Sequence, residues 1–255
     1  MERLDAFYSD CLGYPLAKVK SGKVRIVPSE HRLCQEEGYG IIFPLLLLHS
    51  NCRYILSVRP DLLEIVSAIV WDVSDAEALF REDALPIIES WCRDIISDED
   101  MKRLRWSHSL THYVDKEHFH PFTVHGCKRL KLEDCNLIEE MSQSSDFGCP
   151  KESIQDGTAF GVIIDDKLVS RSSTIPTPNT TKKFGLVWLG VETLPEYRHR
   201  EYAKAVVSGT TETILSRGQT PIYDHATWNK ASENTSKTVG YQLYGEILRW
   251  QYSQN

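Results

Sequence analysis

The chain has 255 residues, of which 41% are hydrophobic and 25% charged, and its net charge is −7 at pH 7. This length and apolar content support one large domain or two domains of ordinary size, and they exclude a disordered chain. The acidic balance argues against broad nucleic-acid binding, because affinity for a phosphate backbone needs a concentrated basic face.

Strand-like runs alternate with helical spacing in the first part of the chain. Strands are predicted for KVRIVP, GIIFPLLLL and RYILSV, and helices for residues 60–70 and 85–96. Pro44, inside the second strand, indicates an edge strand, a bulge or a break, because proline cannot donate to a sheet ladder. The pattern is lost over residues 98–124, so we place a domain boundary near residue 120.

The order of elements is clearer beyond this boundary. CKRLKLEDCNLIEEM predicts a strand and then a helix that starts at Asp134, and GTAFGVIIDDKLVSRSSTI predicts a hairpin that turns at Asp165 and Asp166. Next come a strand FGLVWLGVETL, a helix over 202–216, a strand PIYDHAT, a helix over 230–238 and a last strand YQLYGEILRW. Gly240 follows the last helix, where a residue that tolerates positive φ is often needed.

The segment LPEYRHREYAKAVV leads from a proline-broken turn through basic residues into a helix. The first N–H groups of a helix have no internal partner and lie at the positive end of its dipole, so they attract anions. Arg198, His199 and Arg200 surround this helix start with further donors, and arginine can hold two phosphate oxygens at once. The turn therefore predicts a phosphate site, with a solvated helix terminus as the alternative.

This set of features resembles the GNAT superfamily of N-acetyltransferases over about residues 127–255. The acetyl-CoA signature of that family, Gln/Arg-x-x-Gly-x-Gly/Ala, lies between a strand and a helix, and in this register it runs from Arg198 to Ala203. Downstream, Asn229-x-x-Ser232 and Gly240-Tyr241 match the family pattern Asn-x-x-Ala, helix, Gly-Phe. The resemblance implies the fold class α/β (α+β), with a GNAT-like mixed sheet flanked by helices. Residues 1–120 would form a separate N-terminal α+β domain of unknown role, and residues 121–255 the acetyl-CoA-binding domain.

The resemblance also implies how acetyl-CoA, the co-substrate, would bind. The basic turn and the first backbone amides of the helix would hold its pyrophosphate, and the strand before the turn would pair with its pantetheine arm. Residues after Asn229 would flank the same arm. The predicted acetyl-CoA contacts are Val191, Glu192, Thr193, Leu194, Arg198, His199, Arg200, Glu201, Tyr202, Ala203, Asn229 and Ser232.

Glu201 stands where the family has glycine. A carboxylate about 4 Å from a phosphate costs about 1 kcal/mol in water and about 4 kcal/mol in a partly screened site. A side chain directed away from the phosphate instead gains roughly 0.3–1 kcal/mol from the helix dipole and can pair with Lys204. We therefore predict that the Glu201 carboxylate faces solvent near Lys204; the alternative is a loop that no longer binds coenzyme A well.

Direct acetyl transfer to an amine needs a base for the amine proton, a polarised carbonyl and an acid for the leaving thiolate. Many family members carry the base on the strand before the Asn motif, which makes Asp224 the first candidate; a strand-end aspartate bonded to local backbone is the alternative. Glu192, next to the expected thioester, is the second candidate. A backbone amide of the Val191 to Thr193 strand would bind the oxyanion.

The acid of the family is a tyrosine seven residues after the Asn, and Ser236 stands at that position here. A serine hydroxyl is a much poorer acid than a phenol, so water or another tyrosine, such as Tyr241 or Tyr244, is the alternative. The predicted catalytic set is Asp224, Glu192 and Ser236.

The sequence thus predicts an acyl-CoA-dependent N-acyltransferase that moves acetyl from acetyl-CoA to a primary amine of a small molecule or peptide by direct attack. The alternative is a non-catalytic or degenerate CoA-binding or regulatory protein with a GNAT fold, in which Glu201 and Ser236 mark decay of the site. The predicted partners are acetyl-CoA and an amine acceptor, with no nucleic acid and no membrane, and a homodimer is allowed.

A histidine-rich stretch, HSLTHYVDKEHFHPFTVH, offers a rival site. His108 and His112 would share a helix face if that part were helical, as zinc ligands can. A metalloprotease motif needs Glu after the first His, and Ser109 stands there. We interpret the stretch as chance enrichment in a linker or strand and predict no metal.

Two further expectations concern the environment of the protein. The longest apolar run, at residues 40–49, is too short to cross a bilayer, and residues 1–12 do not resemble a signal peptide, so we expect a soluble, cytoplasmic protein. The seven cysteines form no Cys-x-x-Cys pair, and we interpret them as reduced core thiols; they are Cys11, Cys34, Cys52, Cys92, Cys127, Cys135 and Cys149.

Overall fold

The computed structural model describes residues 1–35, 40–93, 95–142, 151–175 and 179–253. Its α-helices are α1 (Glu2–Leu12), α2 (Leu63–Ser67), α3 (Val73–Ala78), α4 (Leu85–Arg93), α5 (Asp98–Arg103), α6 (Cys135–Ser142), α7 (Lys151–Gln155), α8 (Asn179–Lys182), α9 (Tyr202–Ser216) and α10 (Lys230–Val239). Its strands are β1 (Lys23–Pro28), β2 (Ile41–Ser50), β3 (Arg53–Val58), β4 (Arg105–Tyr113), β5 (Cys127–Arg129), β6 (Phe160–Ile164), β7 (Lys167–Thr174), β8 (Leu186–Thr193), β9 (Thr220–Ala226) and β10 (Gln242–Ser253).

The chain forms two compact units. The first comprises residues 1–111 and 244–255, and the second comprises most of residues 112–243. Strands β4 and β10 carry the chain from one unit to the other, so the C-terminal strand belongs mainly with the N-terminal residues. The domain boundary near residue 120 remains a prediction.

The first unit is a mixed sheet with strand order β1, β3, β2, β10, β4. Strands β1 and β3 are parallel, whereas β2 is antiparallel to both β3 and β10. Alternate residues of these strands, such as Leu45, Leu47 and Leu56, pack with Trp91 and other apolar residues of the helical segment between β3 and β4. The three strands predicted in this half of the chain are confirmed.

Pro44 lies inside a central strand, because β2 is flanked by β3 and β10. The ladder between β2 and β10 changes register between Trp250 and Tyr252, opposite Leu45 and Ile42. The Pro44 carbonyl still accepts a hydrogen bond from the Arg59 N–H (2.9 Å). Of the three sequence-based interpretations the bulge is therefore correct and the edge strand is wrong, since an irregular ladder tolerates the missing proline N–H.

The second unit contains the elements that the resemblance covers. Its strand order is β9, β8, β7, β6, β5; β8 and β9 are parallel, and the other neighbouring pairs in this order are antiparallel. Helix α9 packs on β7 and β8 through Val206 and Val207, which are fully buried. The predicted hairpin turns at Asp165 and Asp166, both of which have positive φ. The prediction of a mixed, mostly antiparallel sheet flanked by helices is confirmed.

Helix α10 has a defined start and end. The Asn229 side chain accepts a hydrogen bond from the Ser232 N–H (3.1 Å), which is an N-cap. Gly240 follows the helix with φ 98°, and a Cβ built there would clash with the His118 carbonyl oxygen. Both the backbone conformation and the space therefore require glycine at this position.

The thiols only partly agree with the core interpretation. Cys92 is buried and Cys11, Cys127 and Cys135 are half-buried, but Cys34 and Cys52 are exposed, so that interpretation is wrong for these two. Cys34 follows a short 3-10 turn, and Cys52 lies in the turn between β2 and β3. Cys149 lies outside the described residues. Within the described ranges, no helix is both long and apolar enough to span a bilayer.

We expect Gly240→Ala to lower the free energy of unfolding by more than about 3 kcal/mol, because strain at positive φ and a backbone clash add up. Gly218→Ala is the matched control: Gly218 has φ 71° and follows α9, but nothing lies within 4 Å of a Cβ there. This control should lose about 1 kcal/mol, from φ strain alone. Chemical denaturation measures both; equal losses would show that the contact with His118 costs nothing.

Candidate functional site

Strands β8 and β9 separate shortly after they begin to pair. Their parallel ladder joins Leu186, Val187 and Trp188 to residues 220–222, while β8 continues to Thr193 and β9 to Ala226. Among the described residues, the edge of β8 that faces β9 therefore has no strand partner beyond Trp188. An unpaired strand edge offers backbone donors and acceptors to an extended ligand.

The residues whose backbone faces this opening follow from the ladder on the other side of β8. The Ile175 N–H donates to the Trp188 carbonyl (2.8 Å), and the Leu194 N–H donates to the Val169 carbonyl (3.0 Å). Because hydrogen-bonded pairs alternate in an antiparallel ladder, residues 188, 190, 192 and 194 face β7. The backbone groups of Val191 and Thr193 consequently face the opening.

The loop after β8 turns backbone amides outward at the start of α9. His199 and Glu201 both have left-handed φ, 61° and 67°. The first N–H of α9 with a helical partner is that of Ala205, which donates to the Glu201 carbonyl (3.3 Å). For the amides of residues 199–204, no acceptor is found among the residues that the structure describes. These amides meet the requirements of an anion site at the end of a 15-residue helix.

Basic side chains surround these amides. Arg198 is exposed, and its Nε donates to the Thr193 carbonyl (3.3 Å), which leaves its terminal nitrogens without a partner in the described part of the chain. The Arg200 guanidinium lies over the Tyr197 ring at 5.2 Å. His199 is exposed. The loop thus combines amides with two guanidinium groups, the usual donors to phosphate.

Glu201 occupies the left-handed position where the family signature has glycine. Its carboxylate pairs with Lys204 Nζ, and the Glu201 side chain is 50% exposed. The acidic side chain therefore lies on the outer face of the helix start, as the spacing of Glu201 and Lys204 predicts. Tyr202 and Ala203, which follow it, are partly buried.

The two carboxylates predicted as bases have different partners. Asp224 follows the end of the β8 and β9 ladder by two residues, and it accepts a hydrogen bond from Trp188 Nε1 (3.1 Å). Glu192 faces Arg171 across the β7 and β8 ladder, and its carboxylate lies 3.2 Å from a terminal guanidinium nitrogen. Arg171 is 4% exposed, so Glu192 balances a buried charge.

The start of α10 positions Asn229, Ser232 and Ser236. The Asn229 side chain caps the helix, and Ser232 supplies the N–H that it accepts. Ser236 is fully buried, and its hydroxyl donates to the Glu233 carbonyl (2.9 Å). The Ser236 hydroxyl proton is therefore already used inside the helix.

The alternative tyrosines also have partners. The Tyr241 hydroxyl lies 2.7 Å from Thr211 Oγ1, and both residues are buried. The Tyr244 hydroxyl, in the first unit, donates to Asp5 Oδ1 (2.8 Å). Burial raises the pKa of both phenols well above the ordinary value.

Sequence patterns did not indicate several residues of this region. Trp188 and Arg171 became relevant only through the strand register that places them beside Asp224 and Glu192. Tyr223 and His225 alternate with Asp224 along β9, and both are buried. Their alternation in PIYDHAT was the available signal, because residues two apart on a strand share a face.

The start of the histidine stretch, up to Tyr113, lies on strand β4 rather than on a helix, and the rest is loop and turn. His108, on β4, lies 2.6 Å from Glu246 Oε1, and His112 stacks on His225 with 4.9 Å between ring centroids. No group of three potential metal ligands is found among the described residues.

A pocket of about 330 Å³ lies elsewhere in the second unit, between α6 and the end of β8, and includes Leu194 of the predicted contacts.

Comparison with known proteins gives one family match. Residues 88–247 match the model of the family described as GNAT acetyltransferase, which extends further toward the N-terminus than the motif-based resemblance. A search of curated proteins finds no significant match.

Several solved structures are similar to the chain. A GNAT-family protein from Novosphingobium aromaticivorans is 18% identical, with 59% of this chain and 66% of that chain covered and a TM-score of 0.47. An acetyltransferase of the GNAT family from Colwellia psychrerythraea is 15% identical, with 65% of this chain and 61% of that chain covered and a TM-score of 0.47. In both cases less than two thirds of the other chain is spanned. AAC(6′)-Iy, solved with a CoA bisubstrate analog, is 14% identical, with 46% of this chain and 90% of that chain covered and a TM-score of 0.34.

We expect Glu201→Gly to be more stable than Glu201→Ala by roughly 1 kcal/mol. Both variants lose the ion pair with Lys204, but only alanine keeps a Cβ at φ 67°. Chemical denaturation of the two variants measures the difference. A more stable alanine variant would mean that position 201 is not held in the left-handed conformation.

Proposed function

Because the chain belongs to the GNAT acetyltransferase family, we propose that it transfers the acetyl group of acetyl-CoA to a primary amine of a small molecule or peptide. The observation that supports this most is the continuity of the β8 edge with the amides and arginines before α9, whose amides have no acceptor among the described residues. An extended arm ending in a pyrophosphate would match this sequence of donors.

The donor set fits acetyl-CoA in three places. The amides of residues 199–204, with Arg198 and Arg200, would hold the pyrophosphate. The backbone of Val191 and Thr193 would pair with the pantetheine amides, as a strand edge pairs with an extended peptide. The Glu201 carboxylate, paired with Lys204, would lie outside this path.

Asp224 is the base that we propose for the acceptor amine. Its bond to the Trp188 indole fixes the carboxylate just past the point where β8 and β9 separate. Glu192 is a weaker candidate, because protonating it would leave the buried Arg171 charge without its partner. The Val191 N–H, which faces the opening, would stabilise the oxyanion formed when the amine attacks the thioester carbonyl.

A non-catalytic CoA-binding protein is the second candidate. Ser236, Tyr241 and Tyr244 all use their hydroxyl groups in structural hydrogen bonds, which favours this alternative. Both candidates require coenzyme binding, and turnover separates them.

The first test is calorimetric titration with acetyl-CoA. We expect the wild type to bind, and Arg198→Ala to weaken binding about tenfold or more, since a charge-assisted contact to phosphate contributes about 1.5–3 kcal/mol. Arg217→Ala removes the same charge at the opposite end of α9 and should leave the affinity nearly unchanged. No heat with the wild type at millimolar ligand would contradict both functions.

The second test is turnover, measured by release of free thiol with a library of primary amines. We expect Asp224→Asn to lower kcat on the order of 10²-fold with unchanged acetyl-CoA binding, because asparagine keeps an acceptor for Trp188 but cannot take a proton. Glu192→Gln is the comparison for the second candidate. Unchanged turnover in Asp224→Asn would remove this residue as the base.

A further inference from the structure

The leaving thiolate has no acid among the residues that sequence comparison suggests. Ser236 stands at the family tyrosine position, but its hydroxyl is fully buried and donates to Glu233. Tyr241 is bound to Thr211, and Tyr244 is bound to Asp5. If the protein is catalytic, another side chain or water must protonate the sulfur.

Tyr223 is the first β9 residue beyond the ladder with β8, which ends at Ile222. It lies where the two strands begin to separate and is 2% exposed. Its hydroxyl has no hydrogen-bond partner of ordinary geometry among the described residues. Buried hydroxyl groups are nearly always paired, so a buried phenol without an ordinary partner, on the first residue beyond the ladder, requires an explanation.

The position of the ring links this phenol to α10. The Tyr223 ring lies 5.6 Å from the Tyr241 ring, in the cluster that also contains Val239. Burial raises the pKa of Tyr223, and the nearby Ser232 hydroxyl offsets part of that rise. Ser236 follows Ser232 by one helical turn, so the two serines share a face of α10. The Tyr223 phenol, on β9, therefore approaches the face of α10 that carries the tyrosine in the family.

We propose that Tyr223 is the acid that protonates the leaving thiolate of coenzyme A, in place of a tyrosine at position 236. The inference rests on the proposed acetyl transfer. In this arrangement β9 supplies the phenol that the helix position occupied by Ser236 lacks. The unpaired hydroxyl gains the sulfur as its partner when the coenzyme is bound.

The proton and electron balance is simple. The amine nitrogen forms a bond to the thioester carbonyl carbon, and the C–S bond breaks with its electron pair on sulfur. The Tyr223 O–H proton moves to that sulfur and gives the free thiol. The amine proton moves to the base, and after product release the base returns it to water while tyrosinate takes a proton from water.

Steady-state kinetics of Tyr223→Phe is the first test. We expect kcat to fall on the order of 10²-fold with little change in KM for acetyl-CoA, because the ring stays in place and only the acid is lost. Thermal stability should fall little, because the deleted hydroxyl makes no hydrogen bond of ordinary geometry with the described residues.

Tyr241→Phe is the matched control. It makes the same change in the same cluster but removes a hydroxyl bound to Thr211. It should lower the melting temperature and leave kcat close to that of the wild type. The two variants therefore have opposite expected effects on stability and turnover, which a general packing defect would not produce.

Titration of bound coenzyme A gives a readout that needs no acceptor. The ultraviolet absorbance of the thiolate is followed against pH for the complexes of the wild type and Tyr223→Phe. A phenol that donates to the sulfur stabilises the thiolate, so ionisation in the wild type should occur about one pH unit lower than in the variant.

The outcomes separate the two proposals. Coenzyme binding by the wild type with identical kcat and identical thiol ionisation in Tyr223→Phe would overturn the role of Tyr223 alone. Failure of the wild type to bind acetyl-CoA would overturn the proposed function and this inference with it. A shifted thiol ionisation without turnover on any amine would support the contact and favour a non-catalytic protein.

Discussion

The short ladder between β8 and β9 is the constraint on which the rest of the second unit depends. Three residue pairs join the strands, and both then continue without each other. Backbone N–H and C=O groups require partners, so a strand edge inside a sheet stays open only if water or a ligand satisfies it. The register of β8 against β7 decides which residues supply those groups, and it selects Val191 and Thr193.

The loop before α9 extends the same row of donors by distorting its own backbone. Two residues other than glycine, His199 and Glu201, hold left-handed φ, and each such residue costs about 1–2 kcal/mol. The cost at Glu201 is partly offset by the ion pair with Lys204, which also holds the carboxylate on the outer face. Replacing the family glycine thus changes the stability of the loop more than the direction of its amides.

Local patterns predicted the elements, but contacts between strands decided the site. The bounds of α9 follow from its apolar spacing, and those of α10 follow from the Asn229 cap and Gly240, because these signals lie within the element itself. The partners of Asp224 and Glu192 could not be predicted, because Trp188 and Arg171 reach them only through strand register. The central position of β2 was missed for the same reason, since strand order is a property of the whole sheet.

The two faces of β9 differ in a way that bears on catalysis. Asp224, on one face, accepts a hydrogen bond from the Trp188 indole N–H. On the other face, the His225 Nδ1 must carry a proton to bond the Ala226 carbonyl (2.9 Å), because a carbonyl can only accept. In the neutral ring Nε2 then has a lone pair, and like the Tyr223 hydroxyl it is buried without a partner in the described part of the chain. A core that needed β9 only for packing would place apolar side chains at both positions, since two adjacent unsatisfied groups oppose folding. Two such groups on one face, directly past the end of the ladder, therefore oppose folding in a way that core packing alone does not explain.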